Sequence, residues 1–124
     1  MDNQTVSLSA RLGELLLNRH ATVTCAESCT GGGIASAITG IPGSSQWFQL
    51  GLVTYANSAK QQLLGLSPDV LAAEGAVSEV VVIEMARAVL ALADADISVA
   101  VSGVAGPDGG TEAKPVGTVW FGWM

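Results

Sequence analysis

Apolar and polar positions along this chain change period several times, and each change marks an element. From Ser7 to Arg19, Leu8, Leu12, Leu15 and Leu16 recur at helical spacing while Arg11, Glu14 and Arg19 lie off that stripe, which predicts an amphipathic helix. Thr22–Ala26 is a short β-branched run that passes through small and glycine residues into Ile34–Thr39, so strand, tight turn and helix are expected in that order. Gly40–Ser45 reads as a loop, and Trp47–Tyr55 has the aromatic and β-branched content of a second strand. Asn57 is a suitable N-cap for a helix over Ser58–Leu64 closed by Gly65, with Lys60 at its third position. Ser67-Pro68-Asp69 opens another, ending near Gly75.

Ser78 starts the longest helix, with Glu79 and Glu84 towards its positive end; its apolar side carries Val81, Met85, Val89 and Leu92, and it runs out near Asp94. Ile97–Ser102 predicts a buried third strand and Gly117–Trp123 a fourth, separated by a small-residue loop from Gly103 to Thr111. This order predicts one α/β domain over residues 1–124, with a mixed sheet of at least four strands covered by helices on both faces. Loops leaving the carboxyl ends of such strands gather at one crevice, and Glu27–Gly33, Tyr55–Lys60 and Gly103–Gly110 are the three that qualify.

Composition sharpens that picture. Of the 124 residues, 49% are hydrophobic and 13% charged, which suits a sheet buried on both faces and excludes disorder. Eleven acidic against five basic residues give a net charge of −6, and without any Lys/Arg run a nucleic-acid partner is not expected. Cys25 and Cys29 lie on one strand-to-turn element, too close for a disulfide, and no His or Cys cluster completes a metal site. Reduced thiols in the cytoplasm are the expectation, with no membrane span. His20 is the single histidine, and at a helix end it reads as a surface residue.

That scarcity directs the chemistry. Ser28, in a turn at a helix N-terminus, is a candidate nucleophile or simply part of an ordinary capped turn. With one histidine available, a lysine is the natural base; Lys60 near a helix N-terminus would lose its proton readily, unless it is a solvated surface cation. Tyr55 would bond either partner or merely end its strand. Cys29 is a rival nucleophile or a small buried hydrophobe, and Glu27 either orients a site group or caps the turn.

The residues Ala26-Glu27-Ser28-Cys29-Thr30-Gly31-Gly32, Pro42-Gly43-Ser44-Ser45, Val53-Thr54-Tyr55-Ala56-Asn57 with Lys60, Gly75-Ala76-Val77-Ser78, Ser102–Gly110 and Lys114–Trp120 occur in this order. Together they make the chain, from about Leu8 onward, resemble the CinA C-terminal domain family, which includes stand-alone nicotinamide-nucleotide amidases. The resemblance implies a three-layer α/β/α, anticodon-binding-like fold and hydrolysis of nicotinamide mononucleotide to nicotinic acid mononucleotide and ammonia. It implies Ser28 as nucleophile, Lys60 as general base and Tyr55 as their assistant. The substrate would be held by Glu27, Cys29, Thr30, Gly31, Gly32, Asn57, Gly103, Ala105, Gly106, Gly109 and Gly110, with no metal or cofactor. A non-catalytic nucleotide- or partner-binding module is the alternative. The family domain usually continues past the point matching Met124 with a strand, a helix and a basic residue suited to phosphate. A bare edge and sheet face are therefore expected here, or a homo-oligomer that covers them, with Trp120, Phe121 and Trp123 at that edge.

Overall fold

The computed structural model describes residues 1–124. The elements are α1 (Asn3–Asn18), β1 (Val23–Glu27), α2 (Gly33–Thr39), β2 (Phe48–Val53), α3 (Asn57–Leu64), α4 (Pro68–Glu74), α5 (Glu79–Ala93), β3 (Ile97–Gly103) and β4 (Val119–Trp123). The one loop expected over Gly40–Ser45 leads into a single 3₁₀ turn, Ser44–Gln46. The strands form one sheet in the order β2-β1-β3-β4, with β1 parallel to both neighbours and β4 antiparallel to β3. Every strand and every helix expected from the sequence is present.

β1 lies in the centre and is buried along its whole length, as is β3 from Ser98 to Ser102. Continuous burial is what the apolar, small-residue content of these strands requires in a sheet covered on both faces. On one face α5 packs with α3 and α4, and Ala26, Leu64, Leu71, Val82, Met85 and Ala100 form the larger core. Gly122 permits this contact: a Cβ there would lie 2.7 Å from the Val82 carbonyl oxygen. On the other face α1 and α2 enclose a smaller core of Leu16, Val23, Ile38 and Trp47. The register between β1 and β2 slips by one residue, because Val23 faces Phe48 while Cys25 faces Gly51. The extra residue belongs to β2.

Three sequence expectations are corrected. The buried face of α1 is Ser9, Gly13 and Leu16 rather than the leucine stripe; Leu8 and Leu15 are exposed. The reason is that the Trp47 indole lies flat against Gly13, where a Cβ would approach Cζ2 to 2.6 Å, so the helix turns its small residues inward. On α5, Leu92 is likewise exposed, because the helix contacts the sheet through Val81, Val82, Met85, Ala86 and Val89. Finally, Asn57 is the first residue of α3, not its cap; Ala56 occupies the cap position and supplies no side-chain bond. By contrast Ser67 caps α4 as expected, its Oγ accepting from the Asp69 and Val70 amides.

The α1–α2 layer sits over β1 and β2 and leaves an apolar groove of about 540 Å³ beside β3 and β4, lined by Leu8, Leu12, Ile34, Val99, Phe121 and Trp123. Trp120, Phe121 and Trp123 are exposed on the edge strand. No helix is long and apolar enough to cross a membrane.

Candidate active site

Alternation along β1 decides what each residue at its end can touch. Ala26 belongs to the core beneath α5, so Ser28, two residues on, faces that side, whereas Glu27 points to the α2 side. The Ser28 amide donates to the Val101 carbonyl at 3.0 Å, which anchors the first residue of the turn to the neighbouring strand β3. From there the chain turns through Gly31 (φ +57°) and Gly32 (φ +105°), left-handed conformations that favour glycine at both positions.

α3 brings Lys60 to this point from the adjacent strand. Its ammonium nitrogen lies 2.9 Å from Ser28 Oγ, and it donates to the carbonyl oxygens of Thr54 (2.8 Å) and Tyr55 (2.9 Å). Lys60 is 1% exposed, and the two ion pairs of the chain, Arg11–Glu14 and Arg87–Glu84, lie elsewhere on the surface. A buried cation without an anionic partner is costly. Burial accordingly lowers the Lys60 pKa from its usual value, against a smaller opposing pull from Cys29. Lys60 Nζ thus has three oxygen neighbours, donating to the two carbonyls and to Ser28 Oγ, while the serine hydroxyl donates to the Tyr55 carbonyl. Ser28 itself is buried, 7% exposed.

Tyr55 reaches this pair through its main chain, not its phenol. The side chain is 67% exposed and its hydroxyl makes no hydrogen bond, while its carbonyl oxygen accepts from both Lys60 Nζ and, at 3.3 Å, Ser28 Oγ. Asn57 is exposed one helical turn before Lys60. Glu27 is fully buried, and its two oxygens accept from Thr30 Oγ1 (2.5 Å), the Ile34 amide (2.8 Å) and the Ala35 amide (2.9 Å). It therefore has no exposed oxygen for a substrate, and the direct contact expected of it is corrected to an internal one. With Gly33 donating to the Thr30 carbonyl and Ser36 to that of Gly32, the first four amides of α2 are all taken. This helix end is filled by the protein's own carboxylate.

What remains free is the turn itself. The amides of Cys29, Thr30 and Gly32 donate to no protein acceptor, while that of Gly31 bonds the Ser28 carbonyl. The loop after β3 starts beside them: a Cβ on Gly103 would stand 2.8 Å from the Thr118 carbonyl oxygen and 3.0 Å from Cys29 Sγ. Within that loop, the amides of Ala105, Gly106, Gly109 and Gly110 also lack protein acceptors. Of the two thiols, Cys25 is buried beside Glu27 and pushed up to about 12 by desolvation and that carboxylate. Cys29 is half-buried and also raised, first by desolvation. Neither is a ready nucleophile at neutral pH. His20 is exposed at the end of α1, and no His/Cys/Asp/Glu cluster has the makings of a metal site. Sequence reasoning missed the main-chain acceptors at Thr54 and Tyr55; the only signal for them was the five-residue spacing that brings Lys60 back to the strand end.

Residues 5–124 match the model of the CinA C-terminal domain. The chain is 58% identical over 120 residues to the nicotinamide-nucleotide amidohydrolase PncC of Escherichia coli strain K12, an alignment spanning 97% of this chain and 73% of that protein. It is 61% identical over 116 residues to the protein of the same name from Enterobacter agglomerans, spanning 94% and 71%. Among solved structures, the competence/damage inducible protein CihA of Agrobacterium tumefaciens aligns with a TM-score of 0.98 at 40% identity, covering 100% of this chain and 75% of that one. The competence damage-inducible protein A of Klebsiella pneumoniae gives 0.93 at 44% identity, covering 96% and 74%.

Proposed function

The chain belongs to the CinA C-terminal domain family, and we propose that it hydrolyses the carboxamide of nicotinamide mononucleotide to nicotinic acid mononucleotide and ammonia, with Ser28 as nucleophile and Lys60 as base. The observation that carries this reading is the 2.9 Å approach of Lys60 Nζ to Ser28 Oγ at a buried position that offers the amine no carboxylate. The names of the relatives supply the substrate class.

In the first step neutral Lys60 takes the Ser28 proton as the serine oxygen bonds to the carboxamide carbon. The resulting oxyanion is met by main-chain N–H groups among those of Cys29, Thr30 and Gly32, which have no other acceptor. Lys60, now an ammonium, returns the proton to the departing nitrogen; the C–N bond breaks and ammonia leaves an acyl-serine. Water then attacks that ester with Lys60 again as base, releasing the acid and restoring the hydroxyl. The unbonded amides of Ala105, Gly106, Gly109 and Gly110 support nucleotide binding by that loop, because the α2 terminus is already occupied. Tyr55 serves through its carbonyl, which fixes the amine. The two free thiols suit a reducing compartment, the cytoplasm. The exposed aromatic residues of β4 support association between copies, which sedimentation would measure.

The deciding experiment is ammonia release from nicotinamide mononucleotide. Turnover by the wild type that Ser28→Ala abolishes sustains the reading. Binding of the nucleotide by calorimetry without any ammonia would replace it with a non-catalytic binding role.

A further inference from the structure

We infer that Glu27 is a positioning residue for Ser28, acting from the opposite face of the sheet without touching the substrate. It rests on the amidase reading given above. A fully buried carboxylate would be expected to have a cation beside it, and Glu27 has none. It is held instead by three donors that follow the nucleophile: Thr30 Oγ1 in the turn itself, and the Ile34 and Ala35 amides at the start of α2. The remaining neighbour is the Cys25 thiol, 3.8 Å from Oε2.

The consequence is geometric. Ser28 is pinned on its N-terminal side by β3, through its amide and the Val101 carbonyl. On its C-terminal side the chain reverses through two glycines in left-handed conformation, a segment with little stiffness of its own. Glu27 ties the far end of that reversal back to the strand, two to three residues beyond the glycines. With both ends held, the hydroxyl is fixed towards Lys60, and Cys29, Thr30 and Gly32 keep their amides free for an oxyanion. The acid thus makes α2 the clamp of the turn, a use of the helix terminus other than binding phosphate. A displacement of the reacting oxygen by about 1 Å costs on the order of a hundredfold in rate.

Glu27→Gln tests this with minimal change of shape. Whichever way the amide is oriented, an NH₂ replaces one acceptor oxygen and faces at least one of these donors. For a folded variant with wild-type circular dichroism, kcat should fall about 100-fold with KM for nicotinamide mononucleotide changed less than threefold. The alkaline-rising limb of the pH profile should keep its position, because the acid acts on the turn and not on the amine. A kcat within threefold of wild type would overturn the inference, as would a loss confined to KM or a shifted limb. If Glu27→Gln does not fold, Thr30→Val removes one donor only and should lower kcat about tenfold; unchanged kcat there is equally fatal. A readout independent of turnover is the rate at which a fluorophosphonate labels Ser28, followed by mass spectrometry. It should drop about tenfold in either variant, and equal labelling would overturn the assignment. Should the wild type release no ammonia, the amidase reading fails while this labelling comparison still decides the role of Glu27.

Discussion

Replacing Lys60 by Met keeps the length and apolar stem of the side chain and removes only the amine, so it isolates the base. The structure sets the size of the effect. Lys60 Nζ is the only side-chain nitrogen bonded to Ser28 Oγ, and His20 lies far off at the surface end of α1, so nothing can take over the proton. Nucleophile and base that act as one unit lose about 10⁴–10⁶-fold in kcat when either is removed. Each factor of ten is about 1.4 kcal/mol of barrier, giving roughly 5–8 kcal/mol. Because the two groups share one bond, the losses should not add. Ser28→Ala, Lys60→Met and the double variant should all lie within about tenfold of one another, a coupling energy nearly as large as either single effect. Lys60→Arg should be as inactive as Lys60→Met, since a guanidinium does not give up its proton. The assay is ammonia release under saturating nucleotide, with calorimetry confirming that the nucleotide still binds. Multiplicative losses in the double variant, or more than a tenth of wild-type turnover in Lys60→Met, would refute the reasoning.

Four further outcomes are expected. Because burial lowers the Lys60 pKa, kcat/KM should climb with pH through that lowered value and level off above it. Stability should follow with a definite sign. The unfolded chain holds the lysine proton up to about pH 10.4, the folded one releases it earlier, and so between those two values the wild type gains up to about 1.4 kcal/mol per pH unit relative to Lys60→Met, measured by denaturant titration. Gly103→Ala should cost about 1–3 kcal/mol and reduce turnover, because the added Cβ collides with the Thr118 carbonyl and the Cys29 sulfur beside the nucleophile; a wild-type melting temperature would contradict this. Cys29→Ala keeps the main-chain N–H and removes a thiol with a raised pKa, so kcat should remain within tenfold, and a larger loss would make the sulfur itself a participant.

Much of this arrangement was legible in the sequence, and the reason differs from element to element. The parallel strands were readable because burial on both faces demands uninterrupted small and β-branched residues, which Val23–Ala26 and Ile97–Ser102 provide. Ser28 stood out through the glycines that follow it. Lys60 was harder, since a lysine on a short helix is ordinarily solvated, and only three-dimensional packing reveals that its nitrogen lies between two carbonyls and a hydroxyl. Glu27, a substrate contact by the resemblance and a capping or orienting residue by its position, is the latter, because a strand sends neighbouring side chains to opposite faces and this one turns to α2. The leucines of α1 misled for a related reason. Periodicity identifies a helix, but the indole of Trp47, 34 residues beyond Gly13, chose which side went inward. Tyr55 supplies a carbonyl rather than a phenol, a distinction no residue letter carries.

The extra residue in β2, between its pairings with Val23 and Cys25, has a reach beyond the strand that contains it. Sliding β2 back by one place against β1 would offer the lysine the carbonyls of a different pair of residues and would turn α3 about its approach. The amine would then no longer meet the hydroxyl. In that sense the spacing of the two reacting atoms is written in neither of their own segments, but in how one edge of the sheet is counted against its centre.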